Sequence, residues 1–249
     1  MSDSVWPDGK QVAVSLSFDD ARDSQLDQGV PVLNACGAKG TFYLNVERAT
    51  ARVADWRAAA AEGHELGNHS LRHSCSGNFV WHVANVLENY TQAGMEEELL
   101  TANQQLTDLL GAAPRTFAYP CGQTFVGRGV GRQSYVPVVA RHFLAGRGFR
   151  DEFYNRPEFV DLAKVGGTEM DGVPYEQLIA HIERAAANGQ WVVLVGHDVL
   201  LDEARRQTVT PETLGRLCEY CLDPAHGVWL ETVATVAERV RQAQMNSIE

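Results

Sequence analysis

The sequence predicts an α/β fold that closes into a barrel. Strand-like and helix-like stretches alternate about seven times along 249 residues, and no linker or low-complexity segment interrupts them. Several of the strand-like stretches end in polar residues, and barrel enzymes assemble their sites from such strand ends at one face. An open doubly wound sheet is the alternative. We expect a single domain over residues 1–249, with a core of about 11–245.

The first predicted strand, Gln11–Phe18, alternates large apolar residues with Ala13, Ser15 and Ser17. The stretch 190–197 predicts a strand with a continuous apolar run from Trp191 to Val195, as is typical of a parallel strand covered on both faces. Further strands are predicted at 40–46, 64–68, 115–120, 159–165 and 227–230, with another ending near Ala145. Apolar periodicity and end signals predict helices at 23–37, 52–62, 95–110, 136–141, 175–187, 210–221 and 232–244.

Composition narrows the classes of partner. The formal net charge of −11 disfavours nucleic acid, whose phosphates call for basic patches. No run of ~18 apolar residues is present, so we expect no membrane-spanning segment. Residues 1–7 lack the basic flank and apolar run of a secretory signal, which predicts a cytoplasmic protein unless a leader was removed. The oligomeric state is left open.

The cysteines do not suggest a disulfide framework, because their number, five, is odd. Cys218 and Cys221 have the spacing of a metal knuckle, but no second pair accompanies them. We therefore expect both to be ordinary helix residues, and Cys36 likewise. Cys75 and Cys121 lie near the motifs described next, where a role as soft metal ligands is the less favoured interpretation.

Two adjacent carboxylates, Asp19 and Asp20, end the first strand and need a cation or a proton nearby. His69 and His73 follow another strand at a spacing that places both imidazoles on one side of a helical turn. His197 follows the apolar strand, and its strand-end position and neighbour Asp198 favour a general acid. Two histidines and one carboxylate suit Zn²⁺, or Fe, Co or Mn, and leave positions open for water and substrate. One acid would bind the metal, and the other would remain a free base.

These residues stand in motifs that resemble those of the polysaccharide deacetylase family, also called the chitooligosaccharide deacetylase homology domain. The motifs are Ser17-Phe18-Asp19-Asp20, His69-Ser70-Leu71-Arg72-His73, Phe117-Ala118-Tyr119-Pro120-Cys121-Gly122 and Leu194-Val195-Gly196-His197. The most specific single match is Gly63-His64-Glu65-Leu66-Gly67-Asn68-His69. The resemblance spans roughly residues 12–240. It implies a distorted (β/α)7 barrel that removes acetyl groups from N- or O-acetylated sugars with a divalent metal: Zn²⁺ first, with Co, Fe, Mn or Ni as alternatives.

The resemblance also implies a role for each residue. Asp19 is the general base, and Asp20, His69 and His73 are the metal ligands. His197 is the general acid, and the backbone N–H of Cys121 holds the oxyanion.

The third and fourth motifs depart from the family pattern. The usual third-motif Arg is Ala118, the Tyr near its end is Cys121, and the Asp-Trp of the fourth motif has no clear match. A sub-branch with Ala-Tyr-Pro in the third motif supplies an Arg from the next strand end. Arg147 stands at that position, which predicts that it lies beside Asp19.

Aromatic residues near the motifs are candidates for a sugar-binding groove. They are Tyr119, Trp81 and Phe125, with His82 and Tyr135 as further members. A small molecule or an oligosaccharide is the expected partner.

Three other functions remain open. Some relatives of this kind open cyclic ureides or imides, so an amidohydrolase acting on such a ring, or on another small non-sugar amide, is the first alternative. An iron(II) oxygenase also uses two histidines and a carboxylate, but the strand–helix alternation argues against its usual all-β core. A catalytically inactive sugar-binding relative is the third, although it would not need to retain both acids and all three histidines.

Overall fold

A curled parallel sheet forms the centre of the fold. The computed structural model describes residues 4–81, 84–202 and 206–246. The sheet strands in these residues are β1 (Val12–Asp19), β2 (Thr41–Leu44), β3 (Glu65–Asn68), β4 (Thr116–Ala118), β5 (Ala145–Arg147), β6 (Thr168–Glu169), β7 (Trp191–Gly196) and β8 (Val228–Leu230). The helices are α1 (Val30–Cys36), α2 (Val46–Ala51), α3 (Val53–Ala61), α4 (Gln92–Leu110), α5 (Val136–His142), α6 (Tyr175–Ala186), α7 (Pro211–Leu222) and α8 (Val233–Asn246).

Shorter elements occupy the connections. A π-helical turn, Gln25–Gly29, leads into α1, and two small strand pairs join Phe125–Val126 to Gln133–Ser134 and Asp198–Val199 to Thr208–Val209. Single 3₁₀ turns lie at Pro7–Gly9, Leu87–Asn89, Pro120–Gly122, Gly129–Gly131, Leu162–Lys164 and Pro224–His226.

The sheet closes on itself. Its strand order is β5-β4-β3-β2-β1-β7-β6, and every pair is parallel. Val165, just before β6, forms a parallel bridge with Arg147 of β5 and completes the ring. β8 pairs with the beginning of β1, while β2 pairs with its end, so two strands share one flank of β1. This distorted (β/α)7 barrel confirms the predicted fold class.

The alternation in β1 separates two packing regions. Val12, Val14, Leu16 and Phe18 are fully buried against the surrounding helices. On the opposite face, Ala13 packs in a second cluster that contains Trp191 of β7. The small residues on this face leave room for large side chains from the neighbouring strand, and Trp191 Nε1 donates a hydrogen bond to Ser15 Oγ at 3.0 Å. Because side chains alternate along a strand, Asp19 lies on this same face.

Most of the predicted elements are present, but the strand expected at 159–165 is wrong. Phe159 is exposed, Leu162–Lys164 forms a 3₁₀ turn, and only Val165 pairs with a strand. The side chain of Asp161 accepts a hydrogen bond from the backbone N–H of Ala163 at 2.9 Å. This local bond offers the backbone an alternative to strand pairing. The predicted 52–62 helix also differs, since a kink at Arg52 separates α2 from α3.

In the described residues, no helix has both the length and the apolar character that crossing a membrane requires.

Candidate metal centre

The carboxyl ends of several strands meet at one face of the barrel. Asp19 is the last residue of β1 and Asp20 follows it, His69 directly follows β3, and His197 directly follows β7. Arg147 ends β5. Residues far apart in the chain are thereby brought together at the face where barrels build their sites.

Asp20, His69 and His73 form a compact group. Asp20 Oδ1 lies 3.5 Å from His69 Nε2 and 3.4 Å from His73 Nε2. Two nitrogen or oxygen ligands of a tetrahedral Zn²⁺, each at about 2.0–2.1 Å, lie roughly 3.3–3.4 Å apart. The three ligand atoms are all within 4.8 Å of one another. Their types and separations therefore fit a divalent cation.

The orientation of His69 is set by a backbone carbonyl. His69 Nδ1 lies 3.0 Å from the carbonyl oxygen of Ala118, which can only accept, so Nδ1 carries the proton. Nε2 then presents its lone pair toward Asp20. Fixing a ligand histidine through its second nitrogen is typical of metal sites. The third-motif Ala118 contributes through its carbonyl, which its side-chain identity does not reveal.

Arg22 holds the second oxygen of Asp20, a contact that sequence reasoning missed. Arg22 Nη2 and Nε donate to Asp20 Oδ2 at 2.8 and 3.2 Å. Arg22 Nη1 also donates to Asp198 Oδ2 at 2.6 Å. Asp20 Oδ1 is thereby directed toward the two imidazoles. The signal in the sequence was a cation two residues after the acid pair.

Asp19 is buried against Arg147. Arg147 Nη2 donates to Asp19 Oδ1, and its Nη1 donates to the carbonyl of Gly148 at 2.7 Å. The Arg147 side chain has no exposure. The other carboxylate oxygen of Asp19 lies 4.0 Å from His69 Nε2. Burial raises the pKa of Asp19, but the Arg147 guanidinium, together with two nearby imidazoles, outweighs burial and holds this pKa below its usual range.

His197 is held by Asp171, not by its neighbour Asp198. Asp171 Oδ2 lies 2.6 Å from His197 Nδ1, and Oδ1 accepts from the His197 backbone N–H at 3.0 Å. Burial lowers the pKa of His197, but the Asp171 hydrogen bond and the nearby Asp19 charge outweigh it, so this pKa is raised. Asp198, which the sequence analysis used as support for the role of His197, instead accepts hydrogen bonds from Arg22 and Ser24. Asp171 lies just beyond β6, and this strand is too short to show a periodic pattern in the sequence.

The amino-terminal half of the chain is similar to a known protein family. Residues 7–127 match the family model described as polysaccharide deacetylase. This match covers just under half of the chain and shows a similarity to the polysaccharide deacetylase family. A gellan lyase from a Bacillus species is 27% identical over 147 residues, which cover 58% of this chain but only 5% of that protein. The matched region is therefore a small part of that relative.

Solved structures share the fold across nearly the whole length. A Mycobacterium smegmatis chain provisionally described as a polysaccharide deacetylase has a TM-score of 0.68 at 17% identity, covering 96% of this chain and 93% of the other. The PuuE allantoinase has a TM-score of 0.67 at 14% identity, covering 95% of this chain and 92% of the other. At these identities the likeness concerns the fold alone.

Left-handed backbone conformations cluster around this candidate site. Asp20, Ala21, Ser70, His73 and Cys121 all have positive φ, between 51° and 79°. Such conformations are disfavoured for residues with a Cβ, and each costs of order 1–3 kcal/mol. The surrounding structure holds these backbone turns at the strand ends, where they direct the candidate ligands and the loop residues.

Cys75 and Cys121 are joined in a single disulfide bond, which the odd number of cysteines did not predict. The bond links the loops that follow β3 and β4, two neighbouring strands, a proximity that a separation of 46 residues does not reveal. Cys36, Cys218 and Cys221 are free and lie in α1 and α7, in agreement with the sequence analysis. The backbone N–H of Cys121 has no hydrogen-bond partner among the described residues.

The aromatic candidates for a sugar groove divide into buried and accessible residues. Tyr119 and Tyr135 are buried in the core, and Tyr119 Oη donates to the carbonyl of Ala163 at 2.6 Å. The prediction for both is wrong, because neither ring is accessible to a ligand. Phe125 is partly exposed and lines a surface groove, and Trp81 is exposed. His82 lies outside the described residues.

Arg22 provides a test of the metal centre. We expect Arg22→Ala to weaken divalent-metal binding about 10–100-fold, because Asp20 loses the hydrogen bonds to Oδ2 that turn Oδ1 toward the two imidazoles. Calorimetric titration of metal-free protein with Zn²⁺ measures the effect. Arg48→Ala is the matched control, since Arg48 lines the same surface pocket as Arg22 and is exposed. Equal affinities for the two variants would contradict this role for Arg22.

Proposed function

We propose that this protein is a metal-dependent deacetylase that removes an acetyl group from an N- or O-acetylated carbohydrate. The observation that carries the proposal is the arrangement of three groups at one barrel face. Asp20, His69 and His73 form a ligand set beside the Asp19–Arg147 pair and the His197–Asp171 pair. The match of residues 7–127 to the polysaccharide deacetylase family model supports the reaction class.

Zn²⁺ is the metal we infer, because two imidazoles and one carboxylate are ligands that catalytic zinc sites use. When bound, the cation supplies polarisation of the acyl carbonyl and lowers the pKa of water at the site. Asp20, His69 and His73 would hold it. A fourth position remains for water or substrate.

Asp19 and His197 carry the proton transfers in this proposal. Asp19 accepts a proton from the attacking water, since its lowered pKa keeps it ionised at neutral pH. His197 donates a proton to the departing amine or alcohol, and its raised pKa favours the protonated imidazole. The backbone N–H of Cys121 is available to donate to the oxyanion of the tetrahedral intermediate. Arg147 and Asp171 position the base and the acid.

A cyclic ureide is the second candidate substrate. The similarity in fold to PuuE allantoinase is nearly as close as that to the Mycobacterium smegmatis chain, with TM-scores of 0.67 and 0.68. Opening a cyclic ureide is also the hydrolysis of an amide-type bond, so the same base and acid would serve. The products differ, because ring opening releases no acetate.

Acetate release tests the leading proposal. We expect Zn²⁺-loaded protein to release acetate from N- or O-acetylated mono- and oligosaccharides, and metal-free protein not to do so. Asp19→Asn should lower kcat about 10²–10⁴-fold while metal stoichiometry is kept, because the variant lacks the base but retains all three ligands. Asp23→Asn, an exposed acid near the same strand end, is the control. Ring opening of allantoin without acetate release would favour the second candidate.

The acidic limb of the pH–rate profile tests Arg147. In Arg147→Met the burial of Asp19 is no longer opposed by the guanidinium, so the pKa of Asp19 rises. The base is then protonated at higher pH, and the acidic limb of kcat/KM should move to higher pH. Arg147→Lys keeps a positive charge and should move the limb less, and Arg150→Met, which removes an exposed guanidinium, should leave it in place. An acidic limb that stays in place in Arg147→Met would rule out this role.

The basic limb tests Asp171. Asp171→Asn removes the carboxylate that raises the pKa of His197, so the imidazole loses its proton at lower pH. With saturating metal, the basic limb of kcat/KM should move to lower pH. Asp198→Asn, at the neighbour of His197, should leave this limb unchanged. A shift caused by Asp198→Asn and not by Asp171→Asn would refute the assignment.

A further inference from the structure

A pair of sulfur atoms lies beside one of the candidate metal ligands. His73 Nδ1 lies 3.8 Å from Cys75 Sγ, and Cys75 is bonded to Cys121. The other ring nitrogen of His73, Nε2, faces Asp20 at 3.4 Å. The imidazole of His73 therefore stands between the carboxylate–histidine group on one side and the two sulfurs on the other.

The separations on the sulfur side match a second ligand set. One ring nitrogen of His73, Cys75 Sγ and Cys121 Sγ all lie within 4.8 Å of one another. In a tetrahedral zinc site with Zn–S of about 2.3 Å and Zn–N of about 2.0–2.1 Å, nitrogen and sulfur lie roughly 3.6 Å apart and two sulfurs roughly 3.8 Å apart. The nitrogen–sulfur distance already has about this value. The two sulfurs need only move apart once their bond is broken.

We propose that reduction of the Cys75–Cys121 disulfide creates a second metal site, in which both cysteine sulfurs and His73 Nδ1 bind a thiophilic divalent cation such as Zn²⁺. Thiolates and imidazole are ligands that zinc accepts. A fourth position is left to water. The loop with His73 and Cys75 begins at the end of β3, and Cys121 follows β4, the strand paired with β3, which keeps the three ligand atoms close after reduction.

The chemistry balances with a dithiol as the reductant. The dithiol transfers two electrons, its two thiols become a cyclic disulfide, and their two protons pass to Cys75 and Cys121, whose S–S bond breaks. Each of the two protein thiols then releases its proton to solvent as the cation binds. Cys121 is partly exposed, so the reductant can reach the bond.

The two sites share one imidazole. His73 would offer Nε2 to the site with Asp20 and His69, and Nδ1 to the thiolate site. Because a neutral imidazole carries one N–H, His73 would release that proton to solvent and bridge the two cations as an imidazolate when both are bound. The state of the disulfide would therefore decide whether His73 serves one cation or two. The thiolate site does not depend on the proposed deacetylase activity, because its ligands can be tested by spectroscopy alone.

Co²⁺ titration tests the proposal, since Co²⁺ replaces Zn²⁺ in such sites and thiolate ligation gives a charge-transfer absorption in the near ultraviolet. The full chain is titrated with Co²⁺ before and after reduction by a dithiol that is then removed without air. We expect the reduced protein to bind a second equivalent and to show the thiolate absorption. The oxidised protein should bind one equivalent without it. A reduced protein without the absorption would overturn the proposal.

Variants locate the ligands. Cys75→Ser and Cys121→Ser should each lose the second equivalent and the absorption. The double variant Cys218→Ala/Cys221→Ala, which removes the other closely spaced cysteines, should keep both. His69→Ala should keep the absorption while losing the first equivalent, which separates this result from any failure of the deacetylase proposal. Absorption that persists in Cys75→Ser, or that disappears in the Cys218/Cys221 variant, would contradict the assignment. Circular dichroism verifies the fold of each variant.

Discussion

The contact between Asp19 and Arg147 is the interaction on which the proposed site depends. Both side chains are almost fully buried, and an unpaired carboxylate at that depth would be protonated and could not act as a base. Breaking a buried pair by removing one partner typically costs about 3–5 kcal/mol. The partner comes from β5 because the corresponding position at the end of β4 is Ala118. Closure of the barrel through the Arg147–Val165 bridge fixes the backbone from which Arg147 reaches Asp19.

A common principle organises the three acidic groups. Each carboxylate divides its two oxygens between a fixed partner and a second task. Asp19 gives one oxygen to Arg147 and leaves the other near His69, and Asp20 gives one to Arg22 and turns the other toward the two imidazoles. Asp171 uses one oxygen for the backbone and one for the ring of His197. Fixed partners of this kind hold the reactive atoms in position before substrate arrives, which lowers the reorganisation needed during reaction.

The sequence predicted the strands and the residues at their ends because both leave local signals. Period-two alternation marks β1, and an acid pair after a strand has no role in a core. The residues that hold Asp19 and His197 in place come from other strand ends and were harder to predict. The role of Arg147 could be predicted only from the resemblance to a family pattern. Asp171 follows a two-residue strand that is too short to show a periodic pattern. The Cys75–Cys121 bond and the burial of Tyr119 depend on which strands are neighbours, and that information is absent from any single segment. The prediction of a strand at 159–165 was wrong because the Asp161 side chain accepts a hydrogen bond from the backbone N–H of Ala163 and stabilises a turn within a strand-like pattern.

The residues that would distinguish an acetylated sugar from a cyclic ureide must lie outside the strand ends. Both reactions need a base on one side of an amide carbon and an acid near the departing nitrogen, which Asp19 and His197 would supply equally well.

The surface groove lined by Phe125 is bounded by polar residues, including Glu88 and Gln123. One face of the Phe125 ring is covered by the Arg132 guanidinium at 3.8 Å, so a sugar could stack only on the other face or by displacing Arg132. Because Tyr119 and Tyr135 are buried, the barrel interior offers no stacking surface from these rings. Recognition of a sugar chain would therefore depend on the loops after β3 and β4, which the Cys75–Cys121 bond joins.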